Sequence, residues 1–517
     1  MEKEEESIGR RSARTLSSLF IGRAAGLLLN VATFIVVARL LGPSNYGIYT
    51  LAVGIYLFIG AVGHFGIGTY FNKHISEYIY KGKPEKINEV LTSGYYIIFL
   101  AAFLLAFAGI LCSGFIASYF KSQSLMPITV IIASLVLFFS MTYGAVYPAL
   151  VSFGRGRWTA YTIIYVQAVN LVGSALLIKL GLSYNGALLG MMLSYLVGLL
   201  ATSYYIGKAM KPYGGFKLVR IGLDHIKKVL YFSLPMAANN LVNNAVSSLA
   251  VLILGIFTTS LILGNYGAAT KGLNMLQAFY GTMWVVLLPT FSAIVARKRN
   301  VQASFNKTII YSLALIFPII IYVGVFAKPL IFILITNKYS LAPFYLFLIS
   351  VGLVISMPAL YISSFMVSKG RVISVLKYNT ISALVQLISL FMLVPYIKAV
   401  GAIISLFFIG GIINDILFIL GVKKIFKIRF NILSLLSLLA ANTLFALIIS
   451  LSLLLSNIWE EVVVGFIISI IIYPILIALF KIANKEFIND LSRFTKGIPF
   501  IEKLTNYIVS YIRYFVR

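Results

Sequence analysis

Val37-Ala38-Arg39-Leu40-Leu41-Gly42-Pro43-Ser44-Asn45-Tyr46-Gly47-Ile48-Tyr49 is the stretch on which the fold turns. An apolar run ends at Leu41, and a second one opens at Tyr46. Between them stand Gly, Pro, Ser and Asn, each of which favours a turn for its own backbone reason. The chain therefore crosses an apolar layer, reverses and crosses back. Asn265-Tyr266-Gly267 repeats the motif 220 residues later, again just after an apolar run. The same reversal is thus written twice.

Working outward, such runs fill the chain. Hydrophobic residues make up 60% of its 517 and charged residues only 11%, with a mean hydropathy of +0.98. Soluble domains carry about 25% charged residues, so this composition excludes an ordinary soluble enzyme. Apolar spans are read at about 15–41, 46–71, 91–119, 125–151, 158–179, 184–207, 228–254, 264–295, 306–328, 341–367, 375–397, 400–422, 432–455 and 459–481. Each can cross ~30 Å of hydrocarbon as a helix. The runs are continuous rather than alternating, which excludes a barrel. The expected fold is an all-α polytopic membrane protein with 14 transmembrane helices.

The net charge of +28 would point to nucleic acid in a soluble protein. Here its distribution decides otherwise. With the N-terminus inside, 34 of the 42 Lys and Arg fall in cytoplasmic segments and only Lys121, Lys179, Lys328, Lys338 and Lys398 fall outside. Cytoplasmic loops collect bases, so both termini are expected in the cytoplasm of a cell that holds this chain in its plasma membrane. No cleavable signal peptide is expected at Met1–Arg14. Cys112 is the lone cysteine and the histidines are His64, His74 and His225, which gives no basis for a disulfide, a zinc centre or another cofactor.

The repeat extends beyond one motif. Val151-Ser152-Phe153-Gly154-Arg155 recurs as Val367-Ser368-Lys369-Gly370-Arg371, Pro127 as Pro343, and Gly186-Ala187 as Gly401-Ala402. The offsets stay between 215 and 220. Spans 1–6 and 7–12 are therefore read as two copies of a six-helix unit. Six is even, so both copies start on the same side, and a pseudo-two-fold axis along the membrane normal relates them. The organisation expected is a cytoplasmic N-terminus (1–14), an N-lobe (15–207), a basic cytoplasmic linker (208–227), a C-lobe (228–422), two extra helices (432–481) and a cytoplasmic amphipathic tail (482–517).

The Val37–Tyr49 stretch closely resembles the first outer turn of polysaccharide and oligosaccharide flippases, a branch of the multidrug/oligosaccharidyl-lipid/polysaccharide exporter superfamily. Phe65-Gly66-Ile67-Gly68, followed by Ile75-Ser76-Glu77-Tyr78, resembles that family's second span and its exit. The resemblance implies a flippase for an undecaprenyl- or dolichol-linked glycan, working by two lobes that rock around a central cavity, without ATP. The sequence agrees on the last point, since it has no Walker-type phosphate loop. One departure is His64, which stands where many members carry an acid.

A lipid-linked glycan offers an anionic phosphate, a field of hydroxyls and an apolar tail. Arg23 in span 1 and Lys271 in span 8 are the intramembrane cations suited to the phosphate, with Arg39 near the outer end of span 1. Arg39 could instead snorkel to the outer headgroups. Hydroxyl partners are expected from Asn30, one face of span 7 (Asn239, Asn240, Asn243 and Asn244), and Asn274 and Gln277 beside Lys271. Gln167 and Asn170, like Asn379 and Gln386, read better as hydrogen bonds between helices. Asp415 in span 12 is the clearest intramembrane carboxylate. Three roles are open to it: a structural pair with a cation, a site for a coupling H⁺ or Na⁺, or a polar wall of the vestibule with Asn414.

The competing reading is a cation-coupled multidrug exporter of the same superfamily. That branch resembles this one but places an acid and a proline in span 1 and has twelve spans. Span 1 here has neither, and carries Arg23 instead. A membrane glycosyltransferase would need large outer loops with catalytic carboxylates, which the spacing of the spans denies. The expected partners are the lipid-linked glycan, membrane lipids and a coupling ion, with no nucleic acid, and the expected state is a monomer.

Overall fold

The computed structural model describes residues 2–63, 66–120, 125–297 and 301–483. The expected amphipathic tail lies outside the described residues from 484 onward, as does His64. Among the described residues every regular element is a helix. In chain order they are α1 (Glu2–Gly63), α2 (Ile67–Tyr80), α3 (Pro84–Leu111), α4 (Ser113–Tyr119), α5 (Pro127–Val146), α6 (Pro148–Ser152), α7 (Gly156–Leu177), α8 (Ser183–Met210), α9 (Leu223–Phe257), α10 (Ser260–Arg297), α11 (Val301–Val325), α12 (Ala327–Leu334), α13 (Ala342–Ser368), α14 (Val372–Ile403), α15 (Gly410–Phe426), α16 (Ile432–Ser450) and α17 (Ile458–Leu479).

Nine helical runs among the described residues are long and apolar enough to cross a membrane. Three of them hold a backbone break. Helix α1 breaks at Gly42, with φ 68°. The run Gly156–Tyr213 breaks at Gly181 and Ser183, and the run Val372–Phe426 at Ile397 and Lys398. The second apolar run is not continuous as read: it ends at Gly63 and resumes in α2 after Gly66, whose left-handed backbone (φ 63°) starts that helix. Phe20, Leu28, Phe103, Leu111, Phe115 and Phe391 are each at least half exposed. An apolar exterior this extensive fits lipid and not water.

Helix ends follow local chemistry. Pro84 and Pro127 take the first turns of α3 and α5, where a missing N–H costs nothing. Asn431 and Asn457 cap α16 and α17 by accepting the backbone N–H of Ser434 and Trp459. The repeated Val-Ser-x-Gly-Arg stretch is a helix stop. Gly154 (φ 67°) donates its N–H to the Val151 carbonyl at 2.9 Å, and Arg155 donates to Leu150 at 3.2 Å. Gly370 (φ 74°) donates to Val367 at 2.9 Å, and Arg371 to Met366 at 3.0 Å. Left-handed backbone at the position after the cap is what glycine tolerates best, so the glycine recurs.

The chain forms two compact units, residues 1–267 and 268–517. This division falls inside α10, whereas the sequence repeat divides at the 208–227 linker. The reason is that α9 packs on α1, α2 and α3. Gly54 of α1 abuts Val251 of α9, and Gly255 of α9 abuts Leu51. In the first unit Tyr70, Phe71 and Ile75 of α2 pack with Val90, Leu91 and Ile98 of α3 and Val136 and Leu137 of α5. In the second, Phe291, Phe305 and Phe365 form a fully buried aromatic knot with centroids 4.7–6.3 Å apart. The two helices after the repeat seat on α11 and α12: Tyr473 Oη donates to the Ala314 carbonyl at 2.6 Å, and Gly465 abuts Phe326.

Each unit also carries the same clip. Asn88 Oδ1 accepts the Lys217 N–H at 2.9 Å, and its Nδ2 donates to the Gly215 carbonyl at 3.4 Å. Asn306 Oδ1 accepts the Asn431 N–H at 2.8 Å, and its Nδ2 donates to the Arg429 carbonyl at 2.9 Å. In both, an amide near the start of a long helix (α3 or α11) bonds a donor and an acceptor of the chain leaving the unit's last repeat helix, and in the second unit Gln302 adds a bond from the Arg429 N–H at 3.0 Å. An extended exit segment has no helical partners of its own, so the amide supplies them.

Candidate functional site

Arg23 lies on α1 with its side chain exposed, while Gly22 and Gly26 on the same helix press against Ala160 and Ile163 of α7. Small residues let the two backbones approach, and that contact turns Arg23 away from the α7 interface. Asn30 is half-buried, and its Nδ2 donates to Gln167 Oε1 of α7 at 3.3 Å. The amide expected to face the substrate is thus joined to the amide expected to be interhelical glue. Arg39 is exposed near the Gly42 break.

The turn after Gly42 and the start of α10 meet within the first unit. Gly47 abuts the Ser260 carbonyl, and Gly264 abuts the Pro43 carbonyl. A Cβ at either position would collide with backbone, so both must stay glycine for this approach. The tyrosines of the two repeated motifs, Tyr46 and Tyr266, are each 2% exposed. Asn265 is buried and donates to the Leu261 carbonyl at 2.9 Å.

On α10, Lys271 is half-buried, Asn274 and Gln277 are exposed, and Leu273 and Leu276 are buried. The helix therefore turns its leucines into the unit and its amides out. Asn239, Asn240, Asn243 and Asn244 fall within the continuous helix α9, so they share one face by register. Their side chains lie outside the described residues.

Asp415 sits on α15. Its Oδ1 accepts the backbone N–H of Ala359 at 2.6 Å. The cause is next door. Pro358 lies inside α13, and a proline inside a helix disturbs the bonding of its turn. A carboxylate from the neighbouring helix takes up the amide that follows it. Among the described residues neither Asp415 nor Lys271 enters an ion pair. Asn414 Oδ1 is buried with no hydrogen-bond partner among them.

The structure brings together Asn30 with Gln167, and places Lys271, Asn274 and Gln277 along one helix. Sequence reading missed the bond between Asp415 and α13. A proline in span 10 and a lone acid in span 12 were its signal. It also missed the Asn88 and Asn306 clips, although their offset of 218 falls within the drift of the repeat.

Comparison with known proteins places this geometry. The family model described as "Polysaccharide biosynthesis protein" matches residues 12–295. An "Uncharacterized membrane protein in cps region" from Klebsiella pneumoniae is 22% identical over 408 residues, covering 78% of this chain and 79% of that one. The structure of the lipid II flippase MurJ in an inward closed conformation is similar with a TM-score of 0.73 at 16% identity, over 89% of this chain and 98% of that one. An inward-facing multidrug resistance MATE family transporter of the MOP superfamily is similar with a TM-score of 0.62 at 17% identity, over 78% and 95% of the two chains. A MOP superfamily transporter from Pyrococcus furiosus, described as having a binding pocket of reverse polarity, is similar with a TM-score of 0.54 at 18% identity, over 80% and 95% of the two chains.

Proposed function

Since the chain belongs to the polysaccharide biosynthesis protein family, we propose that it translocates a polyprenyl-(pyro)phosphate-linked oligosaccharide or polysaccharide precursor across the cytoplasmic membrane by alternating access. The observation that carries this reading is the family match over residues 12–295. The fold likeness to a lipid II flippase supports it, because that protein is named for moving a lipid-linked precursor.

In this reading the three broken runs count as two crossings each. With the six unbroken runs and with α9 and α10 they give fourteen, both termini being cytoplasmic. The paired glycine stops, the paired asparagine clips and the paired breaks at Ser183 and Lys398, 215 residues apart, support two six-helix lobes related by a pseudo-two-fold. The substrate phosphate is captured by Arg23, and Lys271 and Arg39 are the cations it passes to. A planar guanidinium suits a phosphate's paired oxygens, and an ammonium serves as a point charge. Asn239, Asn240, Asn243, Asn244, Asn274 and Gln277 meet the glycan hydroxyls. Asn30 holds Gln167 and shapes the wall behind Arg23. The isoprenoid tail stays in lipid, and the protein works as a monomer.

Asp415 takes up the amide beside Pro358 of α13, and a coupling H⁺ or Na⁺ would act there by changing the carboxylate's charge. The second reading, a cation-coupled multidrug exporter, draws on the likeness to a MATE transporter. Span 1 offers that reading a guanidinium where an organic cation needs a carboxylate. The test is replacement of Arg23 and Lys271 by Gln in cells whose surface glycan depends on this protein. Loss of glycan export at normal protein abundance supports the flippase. Wild-type export with both cations gone removes charge capture.

A further inference from the structure

We propose that Arg155, Arg157 and Lys208 form a site for the phosphate headgroup of an anionic glycerophospholipid, in the leaflet that faces the Lys- and Arg-rich loops. Arg155 precedes the first turn of α7 and Lys208 lies in the last turn of α8. The two helices bring both cations onto one indole. The Arg155 guanidinium carbon is 4.9 Å from the Trp158 ring centroid, and Lys208 Nζ is 5.6 Å from it. Trp158 in turn stacks on Tyr205, with centroids 5.5 Å apart and planes 16° apart. The ring thereby fixes two flexible side chains at one spot.

Two cations gathered on one ring repel each other, and no carboxylate of the described residues pairs with them. No Asp or Glu occurs between Glu89 and Asp224. Among the described residues none of the three cations enters an ion pair. The pair is thus left open to an anion from outside the chain. Arg155, Arg157 and Lys208 are all exposed. Beside them runs a strip of exposed aromatics, Tyr161 (45%), Tyr165 (41%) and Tyr204 (66%), with Tyr161 and Tyr165 stacked at 6.4 Å. Tyrosines and tryptophans of this kind settle at headgroup depth. Bases at that depth, between two membrane helices, match a phosphodiester in charge and position. The site is separate from Arg23 and Lys271 and does not rest on the transport reading.

The test uses the full chain with Trp158 as its sole tryptophan (W284F, W459F), reconstituted in phosphatidylcholine vesicles. Brominated phosphatidylglycerol or brominated phosphatidylcholine is added at matched mole fractions and Trp158 quenching is read. The expected result is quenching by brominated phosphatidylglycerol at a mole fraction about fivefold lower, roughly one basic side chain's attraction to an anionic surface. The R155Q/K208Q variant should lose that preference. Native mass spectrometry of the unmodified chain should show phosphatidylglycerol retained over phosphatidylcholine, which covers the case of a misfolded variant. Equal quenching and equal retention overturn the site. Stronger quenching by a brominated polyprenyl phosphate also overturns it, assigning the cluster to the transported carrier.

Discussion

The Asp415 carboxylate and the Ala359 amide are joined at 2.6 Å across two helices, at the turn that holds Pro358. This bond gives the Asp415 carboxylate a structural task, and the task separates its charge from its hydrogen-bonding. Asp415→Asn retains an oxygen for Ala359 N–H, whereas Asp415→Ala leaves the amide without a side-chain acceptor. Thermal unfolding in detergent should show a loss of about 1–3 kcal/mol for Ala and well under 1 kcal/mol for Asn. Asn also tests coupling: ion dependence of transport should vanish if the charge matters, and should persist if only the cap does.

The Asn88 and Asn306 clips make a paired prediction. Each amide supplies one donor and one acceptor to an exit segment. Alanine at either site should cost about 1–3 kcal/mol and expose that segment. Hydrogen exchange should accelerate at Gly215–Lys217 in Asn88→Ala and at Arg429–Asn431 in Asn306→Ala, each without effect on the other.

The meeting of the two Asn-Tyr-Gly motifs predicts a steric asymmetry among glycines. Gly47→Ala drives a methyl into the Ser260 carbonyl, while Gly114→Ala meets open space. The first should destabilise by about 1–3 kcal/mol, the usual range for overpacking. The second should leave thermal stability unchanged. Equal effects at the two sites would show that the close approach is not maintained.

How much of this was legible in the sequence depends on the range of the interaction. Turn chemistry is local, so the glycines of the quoted motifs, Gly42, Gly154 and Gly370, stand at the backbone break and the two helix stops that the structure shows. The repeat is read from four motifs that recur in register. Pairings across helices were not. Asn30 was read for its own helix, and nothing in span 1 says that Gln167 lies opposite. Asp415 was read for its charge, although its partner is a backbone amide that no side-chain pattern reports. The break at Gly66 was hidden because apolar residues continue on both sides of it. The division into compact units escaped because α9 belongs to the second repeat by sequence and packs with the first unit by contact.

His74 carries a pH prediction. It lies beyond the second span on α2, its ring 4.7 Å from that of Tyr70 and 5.5 Å from that of Phe232. Burial, aided by the neighbouring Lys73 charge, pushes its pKa below the usual 6.5. The unfolded chain then binds the proton more readily than the folded one. This contribution to stability is complete above pH 6.5 and declines as pH falls below it toward the folded value. The melting temperature of the native chain should drop more between pH 7 and pH 5 than that of His74→Gln. Parallel curves would place the loss on other groups.

The central claim is that a cation on span 1 captures the phosphate of a lipid-linked glycan. Its most direct measurement is translocation of a defined polyprenyl-pyrophosphate oligosaccharide in vesicles holding the purified chain, compared with Arg23→Gln at equal incorporation. The account predicts protein-dependent flipping, reduced about ten- to hundredfold in Arg23→Gln, the usual worth of a hydrogen bond to a charged group. Undiminished flipping by Arg23→Gln would contradict charge capture, and vesicles that export an organic cation but leave the glycan lipid unmoved would contradict the flippase itself.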